Sequence, residues 1–298
     1  VRLSIRISVL LALASFVWAT SSACVTFMDS THRAVSLDHD PRRIVTLAPS
    51  LTEIVYFLGL GERVVGVTQF SYYPPQAAKK PKIGSYVDLN VEKIISLSPD
   101  LVLGTKDGNQ PTVVDLLERA GLPVFIVNPR NIKQIIDTIV TIGRLCGVSA
   151  RATALARNLS DEVDRIIGKT ASLDKPVVFL QVNPKPIMSV NKHTFTHDLI
   201  RLAGGRNMTE DEPITYPRIS LEEVIRNKPD VIIISSMARG GNFEQARQQW
   251  FKWGVIPAVR NNRVHLVDSD LIDRPSPRII QGLEAVARYL HPEVNWDE

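Results

Sequence analysis

One phrase occurs twice in this chain, 130 residues apart: Tyr86, Glu92, Pro99 and Asp100 recur as Tyr216, Glu222, Pro229 and Asp230 at the same internal spacing. An apolar run follows each copy, Leu101 to Leu103 and Val231 to Ile234. Solenoid repeats have periods of about 20 to 50 residues, so this offset is too long for one and predicts two similar lobes. Within each copy the order is the same. An aromatic on a loop precedes a short helix with a carboxylate in its first turn, and Pro-Asp stops that helix before a buried strand.

The 298 residues suit two lobes of about 100 to 150 residues each. With 44% hydrophobic and 22% charged residues the chain reads as globular, neither disordered nor multiply membrane-spanning. The 35 basic residues are dispersed and the net charge is only +4, which gives no patch for nucleic acid. Residues 1–23 differ: Arg2 and Arg6, the apolar run Ile7 to Val17, then small residues up to Ala23, the order of a secretory signal. That run is shorter than the ~20 residues of a membrane span, so export to the periplasm is expected. Cys24 offers an alternative, a lipid anchor on the first mature residue. Residues 24–41, polar from Asp29 to Pro41, read as a flexible tail. Cys146, ending an apolar helical pattern, reads as a small buried hydrophobe.

Strand and helix patterns alternate after residue 42, which means mostly parallel sheets covered on both faces. The predicted class is α/β: an N-terminal lobe over 42–147, a connecting helix over 148–171 and a C-terminal lobe over 172–298, with a ligand cleft between lobes. No Gly or Pro interrupts Ser149 to Ile167, so the connector is a long stiff helix and not a hinge. In the first lobe Ser50 and Glu53 read as a capping box opening a helix.

Phosphate-cradling loops and nucleophile elbows are missing. His193 and His197 share a helical spacing but have no third ligand nearby in sequence, so no metal and no cofactor are expected. Nothing pairs a nucleophile with a base, and no catalysis is expected. What remains are aromatic and polar residues on loops that follow strands: Phe70 and Tyr73 in one, Tyr86 and Tyr216 heading the repeated phrases, Asp270 and Arg274 after the last strand. Such loops are where α/β sheets bind ligands, and pockets are lined by aromatics with a few placed polar groups.

The segments Arg43 to Glu53, Tyr73 to Pro75, Leu89 to Glu92, Ser98 to Leu103 and Ser276 to Arg278 resemble the periplasmic substrate-binding proteins of ABC importers for vitamin B12, haem and iron-siderophores. The likeness spans about residues 42 to 292. It implies a monomer that captures a ligand between its lobes, cobalamin or another corrinoid by the match of aromatics, with haem or a ferric siderophore as the alternative. It implies ring contacts at Phe70, Tyr86 and Tyr216 and polar contacts at Asp270 and Arg274. Two tryptophans of the corrinoid pattern stand here as tyrosines, Tyr86 and Tyr216, and a further aromatic is replaced at Val182-Asn183. The resemblance also implies that Glu92 and Glu222 dock on an ABC permease dimer in the inner membrane.

Overall fold

In the computed structural model, which describes residues 25–235 and 243–297, the chain opens with an antiparallel hairpin, β1 (Val25–Met28) and β2 (Ala34–Leu37). This corrects the expectation of a flexible tail over 24–41. Asp29 at the turn is buried and accepts hydrogen bonds from the backbone N–H groups of Thr31 (2.7 Å) and Arg33 (3.0 Å) and from the Arg33 guanidinium. Burial would raise its pKa, but these bonds outweigh it and hold the carboxyl below the usual range. The hairpin is pinned where Ser30 N–H donates to Ile126 O (2.9 Å), while Val35 and Leu37 enter the lobe core. The signal read over 1–23 and Cys24 lie outside the described residues.

The first lobe continues with β3 (Ile44–Thr46), α1 (Pro49–Phe57), β4 (Val64–Val67), α2 (Pro75–Ala78), α3 (Val91–Ser96), β5 (Leu101–Thr105), α4 (Pro111–Arg119), β6 (Val124–Val127) and α5 (Ile132–Leu145). Its sheet is parallel with order β4-β3-β5-β6. Period-2 alternation sends Leu101, Leu103, Phe125 and Val127 to the face under α1 and α5, and Val102, Val124 and Ile126 to the face under α3 and α4. Both faces are buried, hence the unbroken apolar runs.

The connector α6 (Ser149–Thr170) is 22 residues, about 33 Å at 1.5 Å per residue. Gly147, at φ +74°, ends α5 in the left-handed conformation and lets α6 fold back along it. The two helices come so close at Gly143 that a Cβ added there would overlap the Cβ of Ala152. Farther along, Val163 and Ile166 enter the core of the second lobe. The connector is therefore packed along its length and bridges two cores, which opposes hinge motion.

The second lobe comprises β7 (Val177–Gln181), β8 (Asn183–Pro184), β9 (Ile187–Met188), α7 (Phe195–Leu202), β10 (Arg206–Asn207), α8 (Leu221–Asn227), β11 (Val231–Ile234), α9 (Phe243–Trp250), α10 (Pro257–Arg260), β12 (Val264–Leu266), α11 (Ser269–Ile272) and α12 (Ile279–Leu290). Its sheet, β10-β7-β11-β12, repeats the order of the first. The recurring Pro-Asp now has a physical reason. Asp100 accepts from Arg43 N–H (2.8 Å) and returns its own N–H to Arg43 O; Asp230 does the same with Val177 (2.8 Å). Each aspartate ties the third strand of its lobe to the start of the first.

His265 lies within β12 and stacks on Tyr289, centroids 4.3 Å apart at 11°. Burial, with Arg263 and Arg247 nearby, pulls its pKa from 6.5 down to about 4. A histidine whose folded pKa is depressed stays neutral in the fold while the unfolded chain takes up a proton. Stability is therefore expected to fall as pH drops from 6.5 toward about 4. Urea midpoints measured across that window should show the decline in the wild type and a shallower one in His265→Phe; an equal slope in both would assign it to other groups.

Candidate functional site in the interlobe cleft

Parallel strands deliver their C-terminal loops to one side of each sheet, and the two lobes turn those sides toward each other. In the first lobe the loop after β4 is set by a buried hydroxyl chain: Thr46 and Thr52 at 2.7 Å, Thr52 to Ser71 at 2.9 Å, Ser71 and Thr68 at 3.0 Å. This chain fixes the segment that carries Phe70, Tyr72 and Tyr73.

At one end of the cleft the lobes are joined by charge. Tyr72 donates its hydroxyl to Asp270, and the Arg274 guanidinium reaches Asp270 Oδ1 (2.7 Å), the Tyr72 hydroxyl (3.1 Å) and Glu53 Oε1 (2.8 Å). Ser276 donates to Glu53 Oε2 at 2.6 Å. Arg278 lies 3.6 Å from Glu53 and stacks over the Tyr73 ring at 4.1 Å. Glu53 is fully buried and Arg274 nearly so. Burial raises the Glu53 pKa, and the lowering effect of Ser276, Arg274 and Arg278 does not offset it; removing this carboxylate from water costs more than its partners return. Asp270 and Arg274 thus spend hydrogen bonds on the other lobe.

Glu53 corrects a reading of the sequence. It closes no capping box: α1 is capped at Ala48 without a side-chain bond, and Ser50 is buried inside the helix. Glu53 lies on the buried face beside Leu51, Ile54 and Val55. An acid on an apolar helical face needs a partner, and that was the available signal.

Midway along the cleft stand Tyr86 from the first lobe and Tyr216 from the second. The half-buried Tyr86 ring lies directly against Gly108, where any Cβ would overlap its atoms. Burial, then Asp107 and Tyr216, push its pKa up to about 12, while a hydrogen bond with Thr105 pulls the other way. Burial and Asp107 also raise Tyr216, opposed by Arg130. Both remain neutral phenols. Asp107 and Arg130 form a two-bonded ion pair (2.6 and 2.7 Å) near them. Exposed apolar residues adjoin both tyrosines in sequence, Val87 at 58% and Ile214 at 65%. Burial raises the Asp273 carboxyl to about 7, against the hydrogen bond from Ser235 (2.7 Å). At neutral pH it is able both to donate and to accept.

At the far end Asp198, in α7, accepts from Ile132 N–H at the start of α5 (2.9 Å). Of the predicted ligand contacts, Phe70, Tyr73, Asp270 and Arg274 thus cluster at one end of the cleft and Tyr86 and Tyr216 at its middle. Tyr72, Asp107, Arg130 and Asp273 join them without having been singled out as contacts. Among the described residues no group of three or more His, Cys, Asp or Glu side chains is placed to hold a metal.

Glu92 and Glu222 occupy matching places outside the cleft. Asn90 caps α3 by accepting from Lys93 N–H (2.7 Å), and Ser220 caps α8 by accepting from Glu223 N–H (3.1 Å). Neither Glu92 nor Glu222 takes part in these caps, and both are exposed. Each helix leads back to the start of the next strand, so its N-terminus lies on the cleft side of its lobe.

Comparison with known proteins agrees with this architecture. The chain is 32% identical over 276 residues to an uncharacterised ABC transporter substrate-binding lipoprotein of Bacillus subtilis, covering 90% of this chain and 86% of that one. The periplasmic vitamin B12 binding protein of Vibrio cholerae has a similar structure, with a TM-score of 0.75 at 30% identity over 85% of this chain and 98% of that one. A periplasmic haem-binding protein of Roseiflexus also superposes, at TM-score 0.75 and 28% identity over 84% and 98% of the two chains. The family model described as periplasmic binding protein matches residues 44–271. With its two parallel-sheet lobes, packed connecting helix and aromatic cleft, this chain belongs to the periplasmic binding protein family.

Proposed function

We propose that this protein is the exported substrate-binding component of an ABC importer and that its cargo is a corrinoid, captured between the lobes and delivered to a permease. The observation that carries the reading is the pairing of Tyr86 and Tyr216 across the cleft as neutral phenols. A corrin is large, nearly flat and edged with neutral amides. Aromatic faces cover its apolar surface, and a group such as Asp273 that both donates and accepts suits an amide rim.

A polyanionic siderophore complex asks for several unpaired cations. The cleft arginines Arg274, Arg278 and Arg130 are already engaged with Glu53, Asp270, Tyr73 and Asp107. Haem is the second reading, favoured by the relative from Roseiflexus and by the tyrosines themselves, since a phenolate is an established axial ligand. The corrinoid ranks first on the match of aromatics, with one ring from each lobe, Tyr86 and Tyr216, facing the cleft. The family and the signal-like order of residues 1–23 support export to the periplasm; a lipid on Cys24 is the variant suggested by the Bacillus relative.

Tyr86→Ala and Tyr216→Ala test the site. Each is expected to weaken cyanocobalamin binding by about 1–3 kcal/mol through lost aromatic contact, with the melting temperature within a few degrees of wild type. A variant that loses stability but keeps its affinity would show that tyrosine to be a packing anchor.

A further inference from the structure

Next to Thr215, the neighbour of Tyr216, lies a pocket of about 560 Å³ whose lining includes neither Tyr86 nor Tyr216. One wall is Arg130 and Asn131, from the loop after β6; facing it are Lys192 and His193 from the loop before α7, His197, Asp198 and Arg201 along α7, and Thr215, next to Tyr216 in sequence. The lining is rich in donors. Its one carboxylate, Asp198, has both oxygens occupied: Oδ2 by Ile132 N–H at 2.9 Å and Oδ1 by Arg201 at 2.7 Å.

His197 adds a directed donor. Thr209 N–H donates to Asn207 Oδ1 (3.2 Å), which fixes the orientation of that amide. Asn207 Nδ2 then faces His197 Nδ1 at 3.4 Å and acts as donor, so Nδ1 accepts and the imidazole proton sits on Nε2. The Lys192 ammonium pairs with Asp211 at 3.1 Å, a carboxylate 85% exposed, and a solvated pair of this kind yields readily to a better anion.

We propose that this pocket is an oxyanion subsite for a negatively charged group hanging from the transported ring, a phosphodiester or a carboxylate. The inference rests on the ring-binding role proposed above. For a corrinoid the group is the single phosphodiester of the nucleotide loop, which would enter the pocket past Thr215, the neighbour of Tyr216, when the ring lies between Tyr86 and Tyr216.

Calorimetry of the full chain with cyanocobalamin and with dicyanocobinamide, the same ring without the nucleotide loop, gives the first arm. Cyanocobalamin is expected to bind about tenfold tighter, as charge-assisted hydrogen bonds to one anion allow, and Lys192→Ala combined with His193→Ala brings the ratio close to one. A wild-type ratio near one, or a ratio that the double variant leaves unchanged, overturns the proposal. The second arm needs no ring: inorganic phosphate is titrated while the Cε1–H resonances of His193 and His197 are followed by NMR. Saturable shifts that are lost in Lys192→Ala are expected, and non-saturable drift overturns the subsite. Failure of the corrinoid reading looks different, because neither ring then binds while phosphate still shifts the histidines. Haemin displacing that phosphate would identify carboxylates as the source of the anion.

Discussion

Glu53→Ala is expected to destabilise the protein by about 3–5 kcal/mol, the cost of leaving a buried guanidinium without its partner. Arg274 would lose its shortest contact with the first lobe (2.8 Å), Ser276 would lose the acceptor of its 2.6 Å bond, and Arg278 a charge at 3.6 Å. The raised pKa of Glu53 means that the intact pair is not a large net stabiliser; it is the half-broken pair that is costly. The double variant Glu53→Leu with Arg274→Met should therefore recover much of the loss. Urea denaturation of the wild type, the single variants Glu53→Leu and Arg274→Met and the double variant decides it. Additive losses in the double variant would show that the two side chains act independently and that no seam of this kind joins the lobes.

The second large effect concerns partner docking and rests on the importer reading. Glu92→Arg together with Glu222→Arg should leave the melting temperature and ligand affinity nearly unchanged and abolish stimulation of the cognate transporter's ATPase. A carboxylate in the first helical turn contributes about 0.3–1 kcal/mol to its helix, so the fold hardly registers the change. Caps at Asn90 and Ser220 are made without either glutamate. Two exposed acids, one per lobe at matching positions, suit two basic sockets on a symmetric permease, where charges govern association rate and partner choice. Full ATPase stimulation by the double variant would reduce both residues to helix-end chemistry.

The repeated phrase and the strand-helix alternation made the two-lobe α/β architecture legible, because buried parallel strands leave unbroken apolar runs such as Val231 to Ile234. The caps at Asn90 and Ser220 are local as well, each accepting from an N–H three residues on. What stayed hidden depends on distant partners. Glu53 meets Arg274 across 221 positions, and its local spacing from Ser50 imitates a capping box. The hairpin over residues 25–37 is obscured because its strands are only four residues long and the turn between them is polar, held by Asp29 meeting β6. In the loop after β4, adjacent tyrosines cannot be told apart from sequence, yet Tyr72 bonds Asp270 while Tyr73 carries Arg278.

The central claim, that the aromatic cleft takes a corrinoid, is tested most directly by calorimetric titration of the mature protein with cyanocobalamin, haemin and a ferric siderophore in parallel. The account predicts one-to-one binding of cyanocobalamin at about −8 kcal/mol or better, micromolar or tighter, with neither of the others approaching it. Saturable haemin binding with no heat from cyanocobalamin would contradict it.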